Sequence, residues 1–180
     1  MDTLKGQLLL AGAGLHDPNF RRTVVLIAEH SDEGAMGIVL NRAAEVTVSE
    51  AAPALSVLVD PGEPVFVGGP VEPEAVLVLA EFDDPVESAS LVLGDIGFLP
   101  GETETEIEPA TRRARVFAGY AGWSAAQLEA ELEEDAWILE PALPDDVFSP
   151  PDADLWRDVL LRKGGRFRVL AAMPPDLSLN

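Results

Sequence analysis

The chain has 180 residues, 47% of them hydrophobic, and carries 12 basic against 32 acidic side chains, a formal charge of −20. Such a surface repels phosphate backbones and anionic lipid, so direct nucleic-acid or membrane binding is not expected. There is no cysteine for a disulfide or thiolate metal site, and no apolar run approaches the ~20 residues of a membrane helix.

Length and apolar content suit one domain over residues 1–180, without repeats or a long linker. Lys5 followed by Leu8–Ala13 loosely imitates a leader, but Gln7–Ala11 reads better as a first strand, and a cytoplasmic location is expected. A loop with Gly12, Gly14 and Asp17-Pro18 follows. Thr23–Ala28 is almost wholly apolar, the pattern of a strand covered on both faces. The polar turn His30–Gly34 leads into Met36–Leu40, so these two strands form a hairpin.

Ser49 reads as the N-cap of a short helix reaching Leu58, made irregular by Pro53. Val65–Val67 stops at Gly68-Gly69-Pro70, and Ala75–Ala80 and Ser90–Leu93 read as further strands. The acidic stretch Gly101–Glu106 is a solvated loop or a charge-protected edge strand. Val116–Tyr120 is a strand leaving through Gly119 and Gly122. Ser124 and Gln127 have capping-box spacing ahead of an amphipathic helix with Leu128 and Leu132. Ala136–Leu139 is a strand closed by Pro141. A final helix starts near Asp152 or Asp154 and ends at Gly164-Gly165, with Leu155, Trp156, Val159 and Leu160 inward. The segment from Phe167 alternates enough for a strand, which the sequence leaves open.

Several of these corners occur together in one family. Gly6–Ala11, Asp17–Phe20, Arg22–Val25, Glu29-His30, Gly34–Arg42, Val65–Val71, Val116–Trp123 with Gln127–Glu129, Trp137, Leu155-Trp156 and Met173–Asn180 follow in order. With them the chain resembles the YqgE/AlgH family of largely uncharacterised bacterial proteins over nearly its whole length. The resemblance implies an α+β fold: a bent, bifurcated, mainly antiparallel sheet closing into a pseudo-barrel, with amphipathic helices outside. Ala43 stands where proline is usual, Ser124 where glycine is, and Leu79-Ala80 lacks a histidine often found nearby.

No complete catalytic constellation is present. The two histidines, His16 and His30, have no metal-binding spacing, there is no nucleophile elbow or phosphate loop, and no metal or cofactor is expected. His16-Asp17 reads as turn chemistry. Asn41-Arg42 follows a strand end, and antiparallel pairing brings residue 22 beside residue 42. Asp17, Arg22, Asn41 and Arg42 are therefore the candidate ligand site, a rim neutralised by Asp17 or by a bound anion. Weaker candidates are His30, Gly68, Gly69, Tyr120 and Trp123, the last four serving equally well as tight corners and core. The arginines of 112–115 and 162–168 read as ordinary surface and helix-end charge. The expected function is non-enzymatic binding of a protein or a small anionic ligand. The alternatives are a transcriptional regulator acting through a protein partner, and a hydrolase or ligand-processing enzyme using His30 with Asn41 and Arg42.

Overall fold

The computed structural model describes residues 3–15, 17–18, 20–100 and 110–173. The strands are β1 (Gln7–Ala11), β2 (Val24–Ser31), β3 (Gly34–Val39), β4 (Ala43–Thr47), β5 (Pro64–Val67), β6 (Val71–Phe82), β7 (Ser90–Leu93), β8 (Ile96–Phe98), β9 (Thr111–Ser124) and β10 (Trp137–Pro141). Their main path runs β10-β1-β2-β3-β9-β6-β8-β7, with β5 joined to β9 and β4 to β5. All pairings are antiparallel except β5 with β9. The helices are α1 (Val48–Ala51), α2 (Gln127–Glu133), α3 (Pro144–Val147), α4 (Leu155–Lys163) and α5 (Phe167–Ala171), with a 3-10 turn over Pro53–Leu58. This is an α+β fold built on one large, mainly antiparallel sheet.

The long strand β9 is where the sheet divides. Phe117 and Ala118 lie between β5 on one edge and β6 on the other, and from Ala121 to Ser124 β3 takes over the first edge. Gly68 stitches the fork: its carbonyl accepts from Val39 N at 2.8 Å and its amide donates to Ala118 O at 2.8 Å. Backbones here approach so closely that a Cβ on Gly69 would lie 2.1 Å from the Tyr120 carbonyl carbon, and one on Gly119 2.5 Å from Gly69 O. Gly119 also has a φ of +76°, a conformation that glycine adopts without a steric penalty.

The same residue inverts β9. Phe117 belongs to the inner core with Leu8, Leu26, Ile38 and Phe66, whereas Ala121 and Trp123, of the same parity, join the outer core with Leu9, Val25, Val39 and Leu128. Strands alternate faces every residue, so a change of face within one strand needs a break in that alternation; it falls at Gly119, opposite a bulge of β6 in which Glu72–Ala75 lie between the paired positions Val71–Tyr120 and Val76–Ala118. The two apolar faces explain the nearly continuous hydrophobic runs of β1 and β2: even residues enter the inner core and odd ones the outer. A third cluster, Val48, Val65, Val78 and Val116, lies beneath α1 and the 3-10 turn. No ladder closes the sheet among the described residues. It curls instead, bringing Val92 of β7 into the core that Leu8 and Leu26 line, so the expected closure into a pseudo-barrel is not made by strand pairing.

Several boundaries differ from the sequence expectation. Thr47, not Ser49, caps α1, its hydroxyl accepting from Glu50 N at 3.3 Å, and Pro53 opens the separate 3-10 turn. Ser124 ends β9 and does not cap α2; Ala126 does, in the left-handed region at φ +66°. Only half of the capping box survives, with Gln127 Oε1 accepting from Ser124 N at 3.0 Å. Phe167–Ala171 is helical, because Phe167, Leu170 and Ala171 then face the core together. His16 and the acidic 101–106 stretch lie outside the described residues.

Gly119→Ala combines left-handed strain with overpacking, each of about 1–3 kcal/mol, and should destabilise by about 2–6 kcal/mol. Gly62 has a similar φ of +80° but open space around it, so Gly62→Ala should cost only the conformational part, about 1–2 kcal/mol. Urea unfolding of the two variants checks this; equal losses would show that the fork tolerates a methyl group.

Candidate functional site

The rim at the open end of the β2–β3 hairpin is assembled by Asn41. Its Oδ1 accepts from Val24 N and its Nδ2 donates to Arg22 O, both at 2.9 Å, so the side chain stands in for a strand neighbour where the ladder ends. Arg22 has a φ of +54°, held there by that bond. Its guanidinium stacks 4.1 Å from the Trp156 ring centre and reaches Asp154 Oδ2 and Met173 O at 3.3 and 3.2 Å. Arg22 thus ties the sheet to α4 and the chain beyond α5. Arg42 donates to Arg21 O at 3.1 Å. Its partial burial pulls the guanidinium below its ordinary pKa, while the nearby Asp17 carboxylate opposes that shift.

The two strand ends are thus joined by Asn41 to Arg22 and by Arg42 to Arg21, and Arg22 pairs with Asp154 and not with Asp17. A cavity beside Asn41, Phe66, Ser149 and Leu155 measures about 10 Å³, room for no more than a water molecule.

His30 lies at the opposite end of the hairpin. Its Nδ1 accepts from Leu4 N at 3.0 Å, which leaves the proton on Nε2 to be donated to Glu129 Oε1 at 2.7 Å. The imidazole is 3% exposed and Glu129 38%. The hydrogen bond from His30 holds the Glu129 carboxyl below the usual carboxylate range. With both nitrogens committed, the ring latches the N-terminal segment and α2 onto β2. Asn41 and Arg42 belong to the far end of the same hairpin, so the three residues of the hydrolase reading are not assembled into one site.

An open cleft of about 370 Å³ adjoins this end, lined by Glu29, His30, Ser31, Glu33, Met36 and Trp123 among others. Trp123 itself is buried in an aromatic cluster, its ring centre 6.4 Å from Phe20 and 6.1 Å from Trp137. Both indoles donate to Glu131 Oε1, at 3.2 and 2.9 Å. Gly68 and Gly69 occupy the fork, where backbone already fills the space a ligand would need, and Tyr120 packs against the inner core.

Glu129, Glu131 and Arg115 escaped the sequence reading. The two glutamates look like the wet face of α2, and no spacing signals partners so distant along the chain. Arg115 is a correction to the reading of 112–115 as surface charge. It is 4% exposed, lies 4.2 Å over the Phe66 ring, and donates to Val147 O, Ser149 O and Glu63. Burial lowers its pKa and Glu63 opposes the shift.

Comparison with known proteins fits this architecture. An AlgH-like family model matches residues 8–168. The chain belongs to the AlgH-like family. A relative from Mycobacterium ulcerans, named only as a UPF0301 protein, is 42% identical over 97% of this chain and 90% of its own length. One from Mycobacteroides abscessus is 41% identical over 97% and 87%. Among solved structures, a Corynebacterium diphtheriae protein is similar at a TM-score of 0.86 and 27% identity, covering 96% of this chain and 93% of that one. The AlgH protein of Pseudomonas aeruginosa is similar at 0.71 and 30%, covering 96% and 95%.

His30→Ala removes an acceptor from the half-buried Leu4 amide and a donor from Glu129, and should destabilise by about 1–3 kcal/mol. Glu129→Gln should cost less than about 1 kcal/mol, because the carboxylate is more than a third exposed. A carboxyl whose pKa is depressed by folding stabilises above its unfolded value of ~4.3 and loses that contribution as pH falls through the folded value. The gap between wild type and Glu129→Gln should therefore be present at neutral pH and vanish in acid below the ordinary carboxylate range. Denaturant titrations across that interval read it; a gap that widened in acid would contradict the His30–Glu129 bond.

Proposed function

We propose that the protein acts by binding a macromolecular partner and not by catalysis, as an accessory or regulatory protein of the cytoplasm. The supporting observation is that the side chains best suited to chemistry are already committed to holding the fold. His30 has both ring nitrogens bonded, Asn41 uses both ends of its amide on backbone, and Ser124 Oγ lies 3.2 Å from Gln127 Oε1. A general base must reach a substrate proton, and a nearly enclosed imidazole between an amide and a carboxylate has no open nitrogen to do so.

A protein partner is favoured over a small anion, because Arg22 and Arg42 both have partners within the chain. Control of transcription fits this reading only through such a partner: direct contact with DNA opposes the net field of a chain at −20. The test is turnover of chromogenic carboxylate and phosphate esters by purified protein, with His30→Gln and Arg42→Gln alongside. The expected result is no turnover above buffer. Turnover by the wild type that both variants abolish would overturn the binding reading in favour of a hydrolase.

A further inference from the structure

The chain has ten arginines in a more than twofold excess of carboxylates. Five form ion pairs: Arg22 with Asp154, Arg112 with Asp83 and Asp95, Arg113 with Glu81 and Asp145, Arg115 with Glu63, and Arg162 with Asp146. Arg21 and Arg42 are engaged as well. The remaining three, Arg157, Arg166 and Arg168, are exposed and have no carboxylate in ion-pair reach among the described residues. All three lie on the α4–α5 hairpin.

They share its outer side with apolar residues. The inward stripe of α4 is Leu155, Trp156, Val159 and Leu160, and α5 packs inward through Phe167, Leu170 and Ala171. Arg157 stands four residues before Leu161, and Arg166 three before Val169, spacings that make each pair neighbours on a helix surface. Leu161 is 38% exposed and Val169 74%. Arg166 lies 5.0 Å from the Phe167 ring centre, and guanidiniums without a carboxylate partner, interleaved with exposed aliphatic groups on a surface that elsewhere ion-pairs its arginines, are the composition of an interface and not of a solvated face.

We propose that the outer face of α4–α5 docks an acidic segment of another protein that carries apolar side chains. This rests on the binding reading and names its surface and the chemistry of its partner. Screening selects the class of partner. At ~0.15 M salt the Debye length is ~8 Å, so a short segment seated on the patch feels the three arginines and little of the remote acids. A membrane or a DNA duplex extends well beyond the patch and meets the acidic flanks. Asp158, exposed on α4, is the acid that a docking segment must avoid.

The experiment is an amide NMR titration of the full chain with a short synthetic peptide of repeating glutamate and leucine. Saturable shifts confined to Arg157–Ala172 are expected, weakening by about an order of magnitude as salt rises from ~0.05 to ~0.5 M. Binding should be lost in the triple variant R157E/R166E/R168E, whose exposed positions leave the remaining spectrum intact, and weakened in Val169→Asp. A lysine–leucine peptide, phosphatidylserine vesicles and duplex DNA are the comparison arms. Absence of saturable binding, shifts elsewhere, equal binding by the triple variant, or tighter binding of any comparison arm would overturn the proposal. None of those results produces ester turnover, so this failure is distinguishable from failure of the binding reading.

Discussion

The fold depends on one backbone-on-backbone contact. Where β5 leaves β9 and β3 arrives, Gly68-Gly69 crosses Gly119-Tyr120 with no side chain between them, and the 2.2 Å from a hypothetical Gly69 Cβ to Tyr120 O leaves no room for one. Everything on either side is arranged around that crossing. β9 turns over at Gly119, so Phe117 faces the inner core whereas Ala121 and Trp123 lie in the outer core with Leu128 of α2. Without the inversion Trp123 would point away from Phe20 and Trp137, and the outer core would lack its central ring.

The second constraint is how a strongly acidic chain uses its few cations. They are placed mainly as clamps. Arg115 holds the α3–α4 connection against β9 by donating to two main-chain carbonyls, with its own Nε buried and unbonded, a cost that the Glu63 pair and the Phe66 stack offset. Arg162 grips Asp146 through two nitrogens at 2.8 and 2.9 Å, and Lys163 donates to Leu139 O on the outer edge of β10. That last contact covers a sheet edge that would otherwise be open to another chain. Arg22 does the same work at the other end of α4. Against this pattern Arg157, Arg166 and Arg168, with no carboxylate partner among the described residues, stand apart.

How much of this was legible depended on whether a feature is local. β1 and β2 could be read directly, because strands buried on both faces have uninterrupted apolar runs. α4 carried its cap, stripe and glycine stop within one segment, Asp154 accepting from Arg157 N at 3.1 Å and Gly164 at φ +77°. β4 could not be read: Ala43–Thr47 is short, lies at an edge and is half exposed. The start of β9 was hidden by Arg112, Arg113 and Arg115, which look like a polar break until Glu81 is seen paired directly opposite Arg113 on β6. Five residues from Phe167 are too few to separate a period of two from one of 3.6. At the candidate site, antiparallel pairing was enough to bring Arg21-Arg22 to the same strand end as Asn41-Arg42. The partners that define each side chain's role were not: Glu129 is 99 residues from His30, and Asp154 is 132 from Arg22.

Amide hydrogen exchange tests the crossing most directly. Gly68 N and Val39 N form the two hydrogen bonds that join β9, β5 and β3 at the fork. If the fork holds the sheet together, these amides open only when the whole molecule unfolds, and their protection matches that of Leu26 at the centre of β2. Protection of Gly68 and Val39 as low as that of the exposed Pro61-Gly62 turn, with Leu26 still protected, would mean that the two arms of the sheet separate independently.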